Sequence, residues 1–223
     1  CNLLCNFCQN YDISHQGIGE EVSDEKLAKM MLLLQHQGCH NINFVTPSHV
    51  VPQILSALEK AIEGGLSVPL VYNTGGYDCV ETLQILEGVF DIYMPDFKFW
   101  DPKVANRTCN ASDYPEVARN AVLEMYHQVG DLVLDESGIA QRGLLIRHLV
   151  MPNDTAGSEK VMEWIAGNLP KDTYVNIMAQ YSPLYKAYDY PEIARRITGE
   201  EYTSVVQRAQ EVGLTHLDIQ GYW

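Results

Sequence analysis

Short apolar runs alternate with helix-length segments along most of the chain, and this alternation predicts an α/β fold: a partial (β/α)6 barrel of the TIM type with parallel strands. Two further observations favour the barrel over a doubly wound open sheet. The dinucleotide turn Gly-x-Gly-x-x-Gly is absent, although Gly75-Gly76 follows an expected strand. Polar and charged residues collect just past the expected strands, where the loops of a parallel barrel carry chemistry.

Over 24–37 the apolar residues Leu27, Met30, Met31 and Leu34 recur at helical spacing, with Ser23 or Asp24 as N-cap and Gly38 as stop. The run 41–45 is short, apolar and partly β-branched, so it reads as a buried strand ending in the turn Thr46-Pro47-Ser48-His49. A helix over 50–63 follows, closed by Gly64-Gly65. Next come a strand at 69–72, a loop Asn73-Thr74-Gly75-Gly76, a helix at 79–86 and a strand at 91–94. Past a polar stretch containing Trp100-Asp101-Pro102, a helix is expected at 115–128 and a strand at 144–150. The remainder reads as helix 158–168, strand 174–178, a Tyr- and Pro-rich segment, helix 200–212 and a short strand at 217–219.

The 223 residues, 46% of them hydrophobic, suit a single domain over 1–223 with a real core. A net charge of −14 repels phosphate backbones and anionic lipid surfaces, which argues against nucleic acid or membrane as partner. No apolar run approaches the ~20 residues of a membrane span and nothing reads as a signal peptide, so a cytoplasmic location is expected. Asn106, Asn110 and Asn153 begin glycosylation-type triplets, a pattern common by chance. The six cysteines make no disulfide framework, because Cys39, Cys79 and Cys109 are isolated and spaced without pattern.

Cys1, Cys5 and Cys8 differ: they are spaced C-x3-C-x2-C, with Phe7 just before the last. A disulfide among them would close a tiny loop and contribute little, whereas thiolates at this spacing suit iron–sulfur chemistry. A four-iron cube held by three thiolates leaves one iron open, and an open coordination position marks a catalytic site. The alternative is a zinc knuckle that recruits His15 as fourth ligand, giving a non-catalytic zinc or iron–sulfur protein. Because residue 1 is itself an expected ligand, and a metal loop is normally held by an element before it, the chain is expected to be N-terminally truncated and to lack its first strand.

The other candidates lie at strand ends. Asp96 and Lys98, two apart, point to one side. Asn73 and Thr74 offer polar side chains one strand earlier, and Thr46 and Ser48 occupy the turn before that. Arg147 can fix a carboxylate through two parallel bonds, while His148 points the other way on a regular strand and reads as structural. Gln180-Tyr181-Ser182-Pro183 is a candidate substrate contact, with Tyr181, Tyr185, Tyr188 and Tyr190 as a lid; Trp164 and Tyr174 are assigned to packing.

The cysteine spacing, with Phe7 at the aromatic position, resembles the signature of the radical S-adenosylmethionine enzymes. That resemblance implies a [4Fe–4S] cluster on Cys1, Cys5 and Cys8, and S-adenosylmethionine bound through its amino and carboxylate groups to the open iron. It implies cofactor contacts from Phe7, Thr46, Ser48, Asn73, Thr74, Asp96, Lys98 and Arg147. It further implies reductive cleavage of S-adenosylmethionine to a 5′-deoxyadenosyl radical that takes hydrogen from a substrate, with electrons from a donor protein. Met94-x-Asp96-x-Lys98, Asp12-Ile13-Ser14 and the Arg147 strand resemble the pyruvate formate-lyase, or glycyl-radical, activating enzymes in particular, which would make a protein the substrate. Two departures stand out. Asn73 replaces the acid of that subfamily's Asp-Thr-Asn-Gly loop, which weakens the case for a cation site, and Thr46-Pro47-Ser48-His49 replaces the usual Gly-Gly-Glu-Pro.

Overall fold

The computed structural model of the chain describes residues 1–221. Its strands are β1 (Ile42–Val45), β2 (Leu70–Thr74), β3 (Ile92–Pro95), β4 (Val133–Leu134), β5 (Ala140–Leu149), β6 (Tyr174–Met178) and β7 (Leu217–Ile219). All but β4 run parallel, in the order β1-β2-β3-β5-β6-β7, while β4 pairs antiparallel with the start of β5. Among the described residues β1 and β7 are the two ends of the sheet and do not pair, so the barrel is open, as the alternation predicts.

Parallel neighbours need crossovers, and helices supply them. In chain order these are α1 (Tyr11–Ser14), α2 (Asp24–His36), α3 (Val51–Glu63), α4 (Val80–Ile85), α5 (Pro102–Cys109), α6 (Tyr114–Val129), α7 (Ser158–Asn168) and α8 (Gly199–Glu211). Ser23 caps α2 by accepting from the Lys26 amide at 3.2 Å. Thr198 and Glu201 form a reciprocal capping box on α8. The buried faces of α3, Ile54, Ala57, Leu58 and Ala61, and of α6, Ala118, Ala121, Val122 and Met125, belong to one continuous core.

Two differences from the expected elements bear on the site. β2 runs on through Asn73 and Thr74, because their carbonyls accept from the Thr46 amide at 2.6 Å and the Asp96 amide at 2.9 Å. The segment read as a polar stretch contains α5, whose N-cap Asp101 accepts from the Lys103 and Val104 amides at 2.7 and 3.1 Å, with Pro102 in the first turn where it costs no hydrogen bond. The end of α5 holds the cysteine segment: Leu4 N–H donates to the Cys109 carbonyl at 3.2 Å and Asn6 N–H to the Thr108 carbonyl at 2.8 Å. From the far side of the barrel the Lys186 amide donates to the Asn6 carbonyl at 2.9 Å. Among the described residues the backbone of the cysteine segment is thus tied to elements that follow it.

Register decides which side chains face the barrel. Arg147 pairs with Asn176 and bridges Asp96 across the β3–β5 junction, so its neighbour His148 points outward toward α7. There His148 is fully buried, Nδ1 is 2.7 Å from the Phe97 carbonyl and Nε2 is 2.8 Å from Ser158 Oγ. It is structural, as its position on the strand predicts, and Trp164 packs edge-on against Phe97 beside it at 5.4 Å. Burial lowers the His148 pKa from 6.5 to about 4. Between those values the unfolded chain binds a proton that the folded chain refuses, so stability rises with pH across this window and falls on acidification, by about 3 kcal/mol in full. Urea unfolding should show this loss between pH 6.5 and 4, and His148→Gln should remove that part of the pH dependence.

Candidate active site at the carboxyl ends of the strands

The ends of β1, β2, β3, β5 and β6 open into one cavity of about 370 Å³. Cys1, Cys5 and Cys8 all line it, together with Phe7, Thr46, Asn73, Thr74, Asp96, Lys98 and Arg147. The sequence separates these residues by up to 146 positions; parallel register brings them to one mouth. Val45, Leu149 and Met178 add apolar wall, and Gln180, Tyr181 and Ser182, expected as substrate contacts, line it too.

The cysteine segment turns tightly, with Cys8 N–H donating to the Cys5 carbonyl at 3.3 Å. Phe7 is buried at that turn, edge-on to Phe99 at 5.9 Å and tilted against Tyr181 at 6.0 Å, so it anchors the loop in the core. Cys1 is exposed, Cys8 half-buried and Cys5 buried. A hydrogen bond with the Cys109 thiol and burial push the Cys5 thiol well up, against the opposing pull of Lys98. Cys109, isolated in the sequence and buried here, therefore stands against an expected ligand.

In the same cavity one acid meets two bases. Asp96 Oδ1 lies 2.6 Å from Arg147 Nη2, and its other oxygen accepts from Lys98 Nζ. Burial works to raise the Asp96 carboxyl, but the Lys98 and Arg147 charges outweigh it and hold the group below the ordinary carboxylate range. Arg147 Nη2 also donates to Asn73 Oδ1 at 3.1 Å, and Arg147 Nε is buried with no hydrogen-bond partner. Two cations against one carboxylate leave a surplus positive charge facing the cavity.

Not every expected residue arrives. Ser48 is on a 3-10 turn (Pro47–His49) and does not line this cavity; it donates to Asp78 Oδ1 at 2.5 Å and faces a separate depression of about 540 Å³. Asp78, which the sequence reading passed over, is buried and also accepts from Tyr72 OH at 3.0 Å and Thr74 Oγ1 at 2.6 Å. Thr74 reaches the cavity, yet its hydroxyl proton is given to Asp78. Tyr114 was passed over as well. Its hydroxyl lies 2.9 Å from both the Gly75 and Asp96 carbonyls and accepts from the Lys98 amide at 2.8 Å, tying the loop after β2 to the loop after β3. An acid before α4 and a tyrosine opening α6 look like ordinary helix starts; only the fold brings their partners near. Of the expected lid, Tyr185 stacks on Tyr11 and His15, and Arg107 lies over Tyr190.

Among the described residues no three His, Cys, Asp or Glu side chains gather closely enough to hold a single metal ion. That bears on zinc, which draws its ligands around one point. A four-iron cube takes one sulfur per iron and so asks its thiols to stand apart around it. Three thiols lining one cavity with a surplus cation and an unpartnered Arg147 Nε fit a cluster with an anionic small molecule beside it.

No protein-family model matches the chain. An uncharacterized protein of Methanocaldococcus jannaschii is 33% identical over 221 residues, which cover 96% of this chain and 61% of the relative. Two solved structures share the fold at low identity. A radical SAM methyltransferase from Sphaerobacter thermophilus superposes with a TM-score of 0.59 at 12% identity, over 95% of this chain and 61% of that one. The anSMEcpe structure with bound AdoMet and a Cp18Cys peptide gives 0.60 at 13% identity, over 95% and 56%. The chain spans about three fifths of the length of these relatives. The fold is that of the radical SAM enzymes' partial barrel.

Gly76 is where the two loops touch: at φ +77°, an added Cβ would lie 2.2 Å from the Asp96 carbonyl oxygen. Gly76→Ala should cost about 3 kcal/mol in urea unfolding, combining the left-handed backbone with the clash. Gly138→Ala, at φ +79° with nothing within 4 Å, isolates the backbone part and should cost about 1 kcal/mol.

Proposed function

We propose that the chain is a radical S-adenosylmethionine enzyme in which Cys1, Cys5 and Cys8 hold a [4Fe–4S] cluster. The observation that carries this reading is the meeting of the three thiols with Asp96, Lys98 and Arg147 on one cavity. When bound, the reduced cluster supplies the electron that cleaves S-adenosylmethionine to methionine and a 5′-deoxyadenosyl radical, which abstracts hydrogen from a substrate.

The chain's own residues bind and orient. Lys98 and the free edge of Arg147 receive the methionine carboxylate, because Asp96 neutralises only one of the two cations and holds both side chains in place. Asn73 accepts from Arg147 through Oδ1, so its amide nitrogen remains to donate to a ligand oxygen. Val45, Leu149 and Met178 give the adenosine portion an apolar wall and keep water from the reacting bond. Gln180 and Ser182, on the segment after β6, face the substrate side. The finer resemblance, in Met94-x-Asp96-x-Lys98, is to the glycyl-radical activating enzymes; on that reading the hydrogen donor is a glycine of a partner protein and an electron-donor protein reduces the cluster.

Anaerobic reconstitution should yield about four irons per chain. With dithionite and S-adenosylmethionine the loaded protein should release 5′-deoxyadenosine, and Cys5→Ala should hold no cluster. Arg147→Ala should keep its iron but bind S-adenosylmethionine about ten- to hundredfold more weakly, the worth of a charged hydrogen bond. Zinc uptake with no nucleoside product overturns the proposal.

A further inference from the structure

Ser14 closes α1, and its hydroxyl stands among three groups. Cys8 Sγ is 3.2 Å away, the Asn10 carbonyl 2.8 Å and His15 Nδ1 3.0 Å. With Cys8 as a free thiol and the His15 proton assigned to Nδ1, every bond at Ser14 is filled: S–H donates to Oγ, O–H donates to the Asn10 carbonyl and Nδ1–H fills the second lone pair of Oγ, while His15 Nε2 is buried with no partner among the described residues. A metal-bound cysteine is a thiolate and has no proton to give. Oγ would then turn a lone pair toward an anionic sulfur unless the hydroxyl rotates to donate to it. Rotation leaves nothing unpaired, because the Asn10 carbonyl also accepts the Ser14 backbone N–H at 2.9 Å.

We propose that Ser14, polarised by His15, is a positioning residue for the cluster: its hydroxyl donates to the Cys8 thiolate and makes the cluster easier to reduce. The inference rests on the cluster reading above. A hydrogen bond to a cluster sulfur stabilises the extra negative charge of the reduced state and so raises the reduction potential. The surroundings are built to hold the imidazole in this orientation. Tyr185 stacks on His15 at 5.1 Å and on Tyr11 at 4.9 Å, and it does so from a left-handed backbone at φ 55°, a conformation that disfavours a non-glycine residue. The next residue, Lys186, donates its amide to the Asn6 carbonyl between two of the cysteines. The segment after β6 thus supports both the cysteine turn and the ring that feeds Ser14.

The test is the midpoint potential of the reconstituted cluster, measured without S-adenosylmethionine and alongside iron content. Ser14→Ala should hold its iron and lower the equilibrium constant for reduction about tenfold, which for a one-electron couple is about 59 mV more negative. Ser14→Thr, which keeps the hydroxyl, should restore the wild-type value. His15→Phe keeps an aromatic ring over Tyr185 but lacks the donor, and should shift the potential the same way by about threefold. An iron-loaded Ser14→Ala protein with an unchanged potential overturns the inference. Should Ser14→Ala fail to take up iron, His15→Phe decides: a negative shift supports the role and no shift overturns it. A wild-type chain that takes up no cluster is a different outcome, visible in the iron content, and sinks the cluster reading itself.

Discussion

Asp96 sits where β3 meets β5, and there a single carboxylate faces two cations. The pairing does two things at once. It joins the halves of the sheet, since the Asp96–Arg147 bridge and the Phe97 amide on the Arg147 carbonyl at 2.8 Å carry the ladder past the last regular pair, Tyr93 with Leu144. It also holds Lys98 and Arg147 beside a cavity while leaving one positive charge without a protein partner. Buried charges are normally matched, so an unmatched one at a cavity wall marks where an anion belongs. In a protein of net charge −14 that local reversal is a property of the site and not of the surface.

The strands were legible because their neighbours differ in period: each of the six parallel strands contains a short apolar run set between helical segments or glycine turns, although β5 begins at Ala140, ahead of its apolar run, with the polar Gln141 and Arg142. Three elements are not legible in the sequence, the short α1 and β4 and the longer α5, which has Lys103, Asn106 and Arg107 in its eight residues and too short an apolar stripe to read as periodic. Its Asp101-Pro102 start was the available signal. It matters to the site, since α5 supplies the carbonyls that hold the cysteine segment. Within the site, residues set by strand ends were legible: Asp96, Lys98, Asn73 and Arg147 all reach the cavity. Ser48 was not, because a left-handed Thr46 at φ 52° turns the chain after β1 and the following 3-10 turn carries Ser48 behind β2.

Fold and chemistry reach different depths. A shared barrel at 12–13% identity accounts for the arrangement of strands and says nothing by itself about what is bound at their ends. The case for the chemistry rests on side chains that the barrel does not require. A sheet of this topology would stand with apolar residues in place of Lys98 and Arg147, and replacing buried ion pairs by packed apolar groups is often neutral or stabilising. Their presence beside three thiols therefore asks for an explanation outside folding.

The second buried acid sharpens that argument. Among the described residues no cation pairs with Asp78; burial pushes its carboxyl up, and the hydroxyls of Ser48, Thr74 and Tyr72 pull it back. By taking the Thr74 proton it removes one hydroxyl donor from the cavity, and Gly76 N–H, donating to Thr74 Oγ1 at 3.2 Å, occupies a lone pair of the same oxygen. The Lys98 ammonium, the Arg147 guanidinium and the Asn73 amide nitrogen are left beside it to meet a ligand, all of them donors. A wall of donors with surplus positive charge suits a carboxylate and disfavours a bare cation. Asp78, reaching no ligand itself, shapes that preference from behind the strand.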